Sequence, residues 1–158
     1  MEIRLATLDD IDPICQLYNE FFAHNAGLQP QYYCAAKESG EYPKGTITSD
    51  SSDIFLAVES GIAVGFIHVR EAQTPPFDSV APHKYAEIVD FFVTAAHRKK
   101  GIGSALLDAA KRWSKAQNLD YIELFVLAGA EDEYRFYRHR DFATVSHTLR
   151  YSLTKTED

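Results

Sequence analysis

Val93 to Leu107 reads VTAAHRKKGIGSALL, an apolar strand end that runs through a basic, glycine-containing turn into a helix. Upstream, Tyr85 to Val93 predicts a strand that is apolar on both faces through Ile88, Val89, Phe91, Phe92 and Val93. Such a strand belongs inside a sheet. Downstream, Ile102, Leu106, Ala109, Ala110 and Trp113 give one apolar helical face from Gly101 to Gln117. The turn between them has the physics of an anion site. The first N–H groups of a helix lack intrahelical acceptors, and the macrodipole favours negative charge there. Gly101 and Gly103 let the backbone bend and approach a ligand, while Arg98, Lys99 and Lys100 add charge. A phosphate or pyrophosphate is the expected occupant. No Gly-Lys-Ser/Thr follows, so the turn is not a P-loop, and it lacks the third glycine of a dinucleotide fingerprint.

Working outward, Glu2 to Leu8 predicts a short strand. Asp10 to Ala23 predicts an amphipathic helix, with Ile11, Ile14, Cys15, Tyr18, Phe21 and Phe22 on its stripe and Pro13 in its first turn. Gln31 to Lys37 suits a second, shorter helix, and Ser39 to Asp53 reads as loop. Ile54 to Val58 and Ile62 to Arg70 flank Ser60-Gly61 as a hairpin, and Phe77 to Lys84 is loop. Tyr121 to Leu127 predicts a strand and Asp132 to His139 a short polar-aromatic helix. Phe142 to Leu153 is long enough for one or two strands. With no repeat or linker, residues 1–158 are expected to form one α/β domain.

The composition narrows the function. The chain is 46% hydrophobic, enough for a core, and its net charge of −7 disfavours nucleic acid and suits a cationic partner. The run His97 to Lys100 is too short and isolated for a nucleic-acid patch. No apolar stretch has the length of a membrane span, and Met1-Glu2-Ile3-Arg4 does not open a signal peptide. Two cysteines, Cys15 and Cys34, make no disulfide framework, and no Cys/His set has zinc spacing. A cytoplasmic protein with no metal is the expectation.

Arg98-Lys99-Lys100-Gly101-Ile102-Gly103 resembles the R/Q-x-x-G-x-G/A signature of the GCN5-related N-acetyltransferases, the GNAT superfamily. The strand before it, the Ser104-Ala105-Leu106-Leu107 run after it and the order of elements along nearly the whole chain resemble that family too. The resemblance implies a central mixed, mostly antiparallel sheet with one splayed strand pair and helices on both faces. It implies acetyl-CoA as acetyl donor and an amine as acceptor. Amides from Arg98 through Lys99, Lys100, Gly101, Ile102 and Gly103 to Ser104 would hold the pyrophosphate. Backbone groups of Phe91, Phe92 and Val93 would pair with the pantetheine arm. Phe136-Tyr137 matches the family's Phe-Tyr pair, which makes Tyr137 the acid that protonates the departing thiolate. Three positions depart from the family: Ala130 stands for an asparagine, Glu133 for an alanine and Asp141 for a glycine.

An ammonium cannot attack a thioester, so a base is needed. Ala86-Glu87-Ile88-Val89 resembles the histone-acetylating branch, where the glutamate is that base. Asp90 competes with Glu87, and a period of two places these carboxylates on opposite faces of the strand. His68 and His83 are further alternatives. Phe21, Phe22, Tyr32 and Tyr33 are expected either to wall the acceptor groove or to pack in the core. The function expected is transfer of an acetyl group to a primary amine of a small molecule or peptide by direct attack. The other class left open is a non-catalytic acyl-CoA-binding sensor or partner module. The family often forms dimers, which adds a homodimer through Phe142 to Leu153 to the expectations.

Overall fold

A computed structural model describes residues 1–154. They form two compact units, one spanning Met1–Phe125 and the other beginning at Val126. The first unit contains a five-stranded mixed sheet with strands in chain order: β1 (Glu2–Leu5), β2 (Ser52–Glu59), β3 (Ile62–Gln73), β4 (Lys84–Val93) and β5 (Ile122–Glu123). Neighbours are antiparallel except β4 and β5, which are parallel. The same unit carries α1 (Ile11–Leu28), α2 (Glu41–Ile47) and α3 (Ile102–Ala116), and α4 (Glu131–Arg138) lies in the second. This is the expected α/β architecture with a mostly antiparallel sheet.

Register explains the core. Leu56 stands opposite Phe66, and Phe66 opposite Phe92. Cross-strand partners share a face, so these three side chains make one apolar floor. The α1 stripe of Ile14, Leu17 and Tyr18 is buried on that floor. The alternate positions Ile67 and Val69 are buried on the opposite face. There α3 packs, with Leu106 beside the close approach of Gly65 to the Phe92 carbonyl. A Cβ at Gly65 would lie 2.9 Å from that oxygen, so the position needs glycine. Ser60 and Gly61 have φ of 51° and 80° between the paired Glu59 and Ile62. Two positive φ values are what a two-residue type I′ hairpin requires.

Several expected boundaries move. The first helix runs on through Gly27 to Leu28. Residues 31–37 form no helix: one turn at Gln29 to Tyr33 gives way to an irregular run, and Glu38 N–H donates to Asn19 Oδ1 on α1. The second helix falls instead at Glu41–Ile47, inside the expected loop. Its Pro43 and Gly45 argue against a helix by propensity. Burial of Pro43 and Thr46, and a hydrogen bond from Ser52 Oγ to the Thr46 carbonyl, hold it in place. The expected strand Tyr121 to Leu127 contracts to Ile122–Glu123, and residues 142–153 contain no strand.

Candidate active site

The turn before α3 has the geometry of an anion cradle. Lys99 has φ of 60° and Gly101 of 83°, with Lys100 between them outside the positive-φ set. Two left-handed residues this close together bend the chain sharply just before the N–H groups that open α3 and lack intrahelical acceptors. Gly101 is the N-cap of α3, and helical bonding starts with Ala105 N–H donating to the Gly101 carbonyl. Arg98, Lys99, Lys100 and Gly101 are exposed, Gly103 and Ser104 are half-buried, and the Ile102 side chain is core. Arg98 has a further task. Its Nε donates to the Val93 carbonyl at 2.9 Å, and its guanidinium lies 5.3 Å from the Phe92 ring centroid. That side chain ties the turn to the end of β4.

β4 leads into this turn after its pairing with β5 has ended. β5 pairs with it only at Ala86 and Glu87, and among the described residues no strand continues that ladder past Glu87. This is the expected splayed pair. Phe91, Phe92 and Val93 lie beyond the end of that ladder. Their other edge pairs with Ile67, Phe66 and Gly65 of β3. The Phe92 ring is buried against Phe21 and His24. The residues fit an extended, amide-bearing arm along β4 and a pyrophosphate at the turn.

The carboxylates depart from expectation. His68 stands opposite Asp90 and Val69 opposite Ile88, so Val89 is an extra residue, a β-bulge. The bulge resets the alternation. Arg70 stands opposite Glu87, and His68 and Arg70 lie two apart on β3, so Glu87 and Asp90 face the same side. That side is the one covered by α1 and α2. Arg70 Nε donates to Glu87 Oε2 at 2.8 Å, and Nη2 lies 2.7 Å from the same oxygen. Asp90 Oδ2 accepts from Tyr18 Oη at 2.8 Å and from Tyr42 Oη at 3.4 Å, and His68 Nδ1 is 3.6 Å away. Tyr42 Oη also lies 3.3 Å from His68 Nδ1. Burial, then the Asp90 charge, pushes the Tyr42 phenol up to about 12 and raises that of Tyr18 further. Both hydroxyls keep their protons across the neutral range.

The second unit places Tyr137 one residue before the end of α4. Its ring is buried between Phe136 and Phe142, with centroids 5.2 and 5.4 Å away. Burial, then the Glu133 charge, raises its phenol above the ordinary range. Phe142 N–H donates to the Tyr137 carbonyl and Asp141 N–H to the Arg138 carbonyl, with Asp141 at φ of 65°. This is a Schellman cap, complete with its apolar contact between Tyr137 and Phe142. It explains the glycine expected at Asp141: the position is left-handed. Ala130 is the N-cap of α4 and supplies no side-chain bond to it.

Other candidates separate from this face. His83 pairs with Asp120 at 2.7 Å, before β4 begins. Phe21 and Phe22 pack against the core cluster and Tyr32 is exposed. Tyr42 and Arg70 were absent from the expected site. Tyr42 sits in a stretch that reads as loop, and Arg70 closes a strand like any solvated residue, so neither carries a signal. Among the described residues no helix is long and apolar enough to cross a membrane.

A family model described as the acetyltransferase (GNAT) family matches residues 11–142. An uncharacterized N-acetyltransferase of Archaeoglobus fulgidus is 30% identical over 89% of this chain and 92% of its own length. Another, MJ1207 of Methanocaldococcus jannaschii, is 29% identical over 89% of this chain and 59% of its own. Among solved structures, a mutant of the BH1408 protein from Bacillus halodurans superposes with a TM-score of 0.91 at 20% identity, over 98% of this chain and 100% of that one. Aminoglycoside N-acetyltransferase AAC(6')-Iy in complex with CoA gives 0.74 at 14% identity, over 98% and 100%.

Proposed function

We propose that this chain, which belongs to the GNAT family of acetyltransferases, transfers an acetyl group from acetyl-CoA to a primary amine of a small molecule or peptide. One observation carries the reading. β4 loses its β5 partner after Glu87 and runs directly into a turn with positive φ at Lys99 and Gly101. A strand that runs on past its β5 ladder suits the pantetheine arm by added-strand pairing, and the turn at the helix N-terminus suits the pyrophosphate. Acetyl-CoA supplies the activated acetyl group. Residues 98–104 bind the phosphates, and Phe91, Phe92 and Val93 offer backbone groups to the arm. N–H groups along β4 polarise the thioester carbonyl.

Glu87 is the base that takes a proton from the incoming ammonium. Its partner Arg70 is half-exposed, and an exposed ion pair contributes only about 0–1 kcal/mol. A cationic acceptor can therefore replace the guanidinium. Tyr137 is the acid for the departing thiolate. The net charge of −7 suits a cationic amine, and two unpaired cysteines suit the cytoplasm.

A homodimer belongs to the same reading. Val145, Leu149, Tyr151 and Leu153 are 79–91% exposed, and the last three recur with a period of two. That pattern suits a strand completed by a second copy. Sedimentation of the full chain against a variant ending at Thr144 tests it, and a wild-type monomer at roughly 100 micromolar refutes it.

The activity test incubates the protein with acetyl-CoA and a panel of amines and follows release of CoA thiol, beside calorimetry of CoA alone. Binding with turnover on at least one amine is expected. Binding with no turnover on any amine would favour a sensor module instead.

A further inference from the structure

An amine that enters as an ammonium gives up two protons before it becomes an amide. One leaves before attack. The second leaves the nitrogen once it has bonded to the acetyl carbon and become cationic. Glu87 holds one proton at a time, so a second acceptor on the same face is required unless bulk water reaches the nitrogen.

The α1 face of β4 contains a built candidate. His68 is 3% exposed, far too buried to meet a substrate directly. Its Nδ1 points at Tyr42 Oη, 3.3 Å away. Tyr42 is 45% exposed, so the phenol spans from the surface to the imidazole. Asp90 Oδ2 lies 3.6 Å from the same nitrogen and would balance an imidazolium. Tyr42 Oη lies 3.4 Å from Asp90 Oδ2, on the same face of β4 as the proposed base Glu87.

Resting on the acetyltransferase reading, we propose that Tyr42 and His68 form a proton relay that takes the second proton from the acceptor nitrogen. The nitrogen's N–H bond breaks as its proton passes to Tyr42 Oη. The phenolic O–H breaks as that proton passes to His68 Nδ1, which becomes N–H. Tyr42 ends neutral, as it began, and His68 ends as a cation beside Asp90. The proton given by Tyr137 to the thiolate is restored from one of the two removed, and the other leaves to solvent. The relay needs His68 neutral, with Nδ1 bare and Nε2 carrying hydrogen. The raised Tyr42 phenol fits a group that exchanges a proton without becoming a free phenolate.

The charged and titratable groups that face His68 are Tyr18 from α1, Tyr42 from α2, Arg70 from its own strand, and Glu87 and Asp90 from β4. Glu38, before α2, adds charge near Tyr18. β2 presents only Ile54 opposite His68.

Two measurements test the relay. Side-chain nitrogen NMR of the full chain labelled with 15N-histidine, with His68→Gln to assign the signal, reads the tautomer without any acceptor. A bare Nδ1 near pH 7.5 is expected, with a shift on Tyr42→Phe. A protonated Nδ1 would overturn the relay and leave Asp90 as the end of the proton path. Kinetics then use acetyl-CoA with spermidine, kanamycin or a lysine peptide, whichever turns over. Tyr42→Phe and His68→Gln should each lower kcat by about 10- to 100-fold, within the range of one proton-transfer group. The double variant should lose no more than either single one, since both break one path. His68→Gln and Tyr42→Phe should also change the pH profile of kcat in the same way, for the same reason. Because His68→Gln alters the core, the half-exposed Tyr42→Phe is the variant that keeps the test open if the other fails to fold. Unchanged kcat and pH profile in Tyr42→Phe would overturn the relay. If no amine releases thiol from the wild type, the acetyltransferase reading fails, while the tautomer still decides whether His68 can accept a proton from Tyr42.

Discussion

Glu87 and Asp90 are three residues apart on β4 and face the same side of the sheet, because the bulge at Val89 inserts one residue between them. Their partners separate their roles. Glu87 is held by the half-exposed Arg70, whereas Asp90 accepts from the buried Tyr18 and sits at the centre of a network that joins α1, α2, β3 and β4. Glu87→Gln keeps the shape and removes the proton acceptor. It should cut kcat/KM severely at pH 7 and recover in part near pH 9, where more of the amine is already neutral, with little change in Tm. Asp90→Asn should instead lower stability by about 1–3 kcal/mol, the cost of leaving a buried donor without its charged acceptor. Thermal melts and pH–rate profiles of both variants check this. A stable Asp90→Asn with the deeper catalytic loss would move the base to Asp90.

The turn before α3, the proposed pyrophosphate site, makes a second prediction. Gly101 has φ of 83° and open space where a Cβ would stand, so its constraint is conformational and not steric. Gly101→Ala should destabilise the fold by about 1–2 kcal/mol, the left-handed penalty for an L-residue. It should weaken CoA binding as the cradle relaxes. Gly103→Val, inside the first turn of α3, should leave the fold intact and raise the Kd for CoA at least tenfold (roughly 1.4 kcal/mol or more). Calorimetry reads both. Wild-type affinity in a folded Gly103→Val would place the pyrophosphate elsewhere.

The turn from Arg98 to Gly103 was legible in the sequence because backbone demands show as residue types. A left-handed N-cap needs glycine at 101, and a type I′ hairpin needs it at 61. The α1 stripe was legible because burial on one helical face imposes spacing. The bulge at Val89 was not. Inserting a residue changes which way side chains point while every residue in Ala86-Glu87-Ile88-Val89-Asp90 remains an ordinary occupant of a strand, so a period of two assigned Glu87 and Asp90 to opposite faces. Nor was α2 legible. Pro43 and Gly45 oppose a helix locally, and the tertiary anchors at Tyr42, Pro43 and Thr46 override them. Tyr42 joins the Asp90 and His68 cluster through that helix, which is why this face of β4 could be read only from the fold.

Asp141 makes a third prediction. It occupies the left-handed position of the cap that closes α4, and its side chain is exposed. Asp tolerates that region better than most residues, yet glycine pays no penalty there. Asp141→Gly should stabilise the protein by about 0.5–1 kcal/mol, worth about 1–4 °C in Tm for a chain of this length. Asp141→Val should do the reverse. A loss of stability in Asp141→Gly would show that the carboxylate makes a favourable interaction of its own.

Tyr137 makes the last. Its hydroxyl is the proposed donor to the departing thiolate, and Tyr137→Phe keeps the ring packed against Phe136 and Phe142 while removing that hydroxyl. It should lower kcat by about 10- to 1000-fold and leave the Kd for CoA unchanged, since one general acid contributes about 10² to 10⁴. The sign of the phenol's shift adds a stricter condition. Burial penalises the phenolate, so the raised group stays protonated, and therefore able to donate, to higher pH than an ordinary tyrosine. The ratio of wild-type to variant kcat should then stay flat from pH 7 to about 9.5, below even the ordinary phenol pKa of about 10. Single-turnover rates remove the contribution of product release. A ratio that falls toward one as pH approaches 9 would mean that Tyr137 itself loses its proton in that range, against the upward shift that burial gives it, and a ratio near one at every pH would assign the acid to another group.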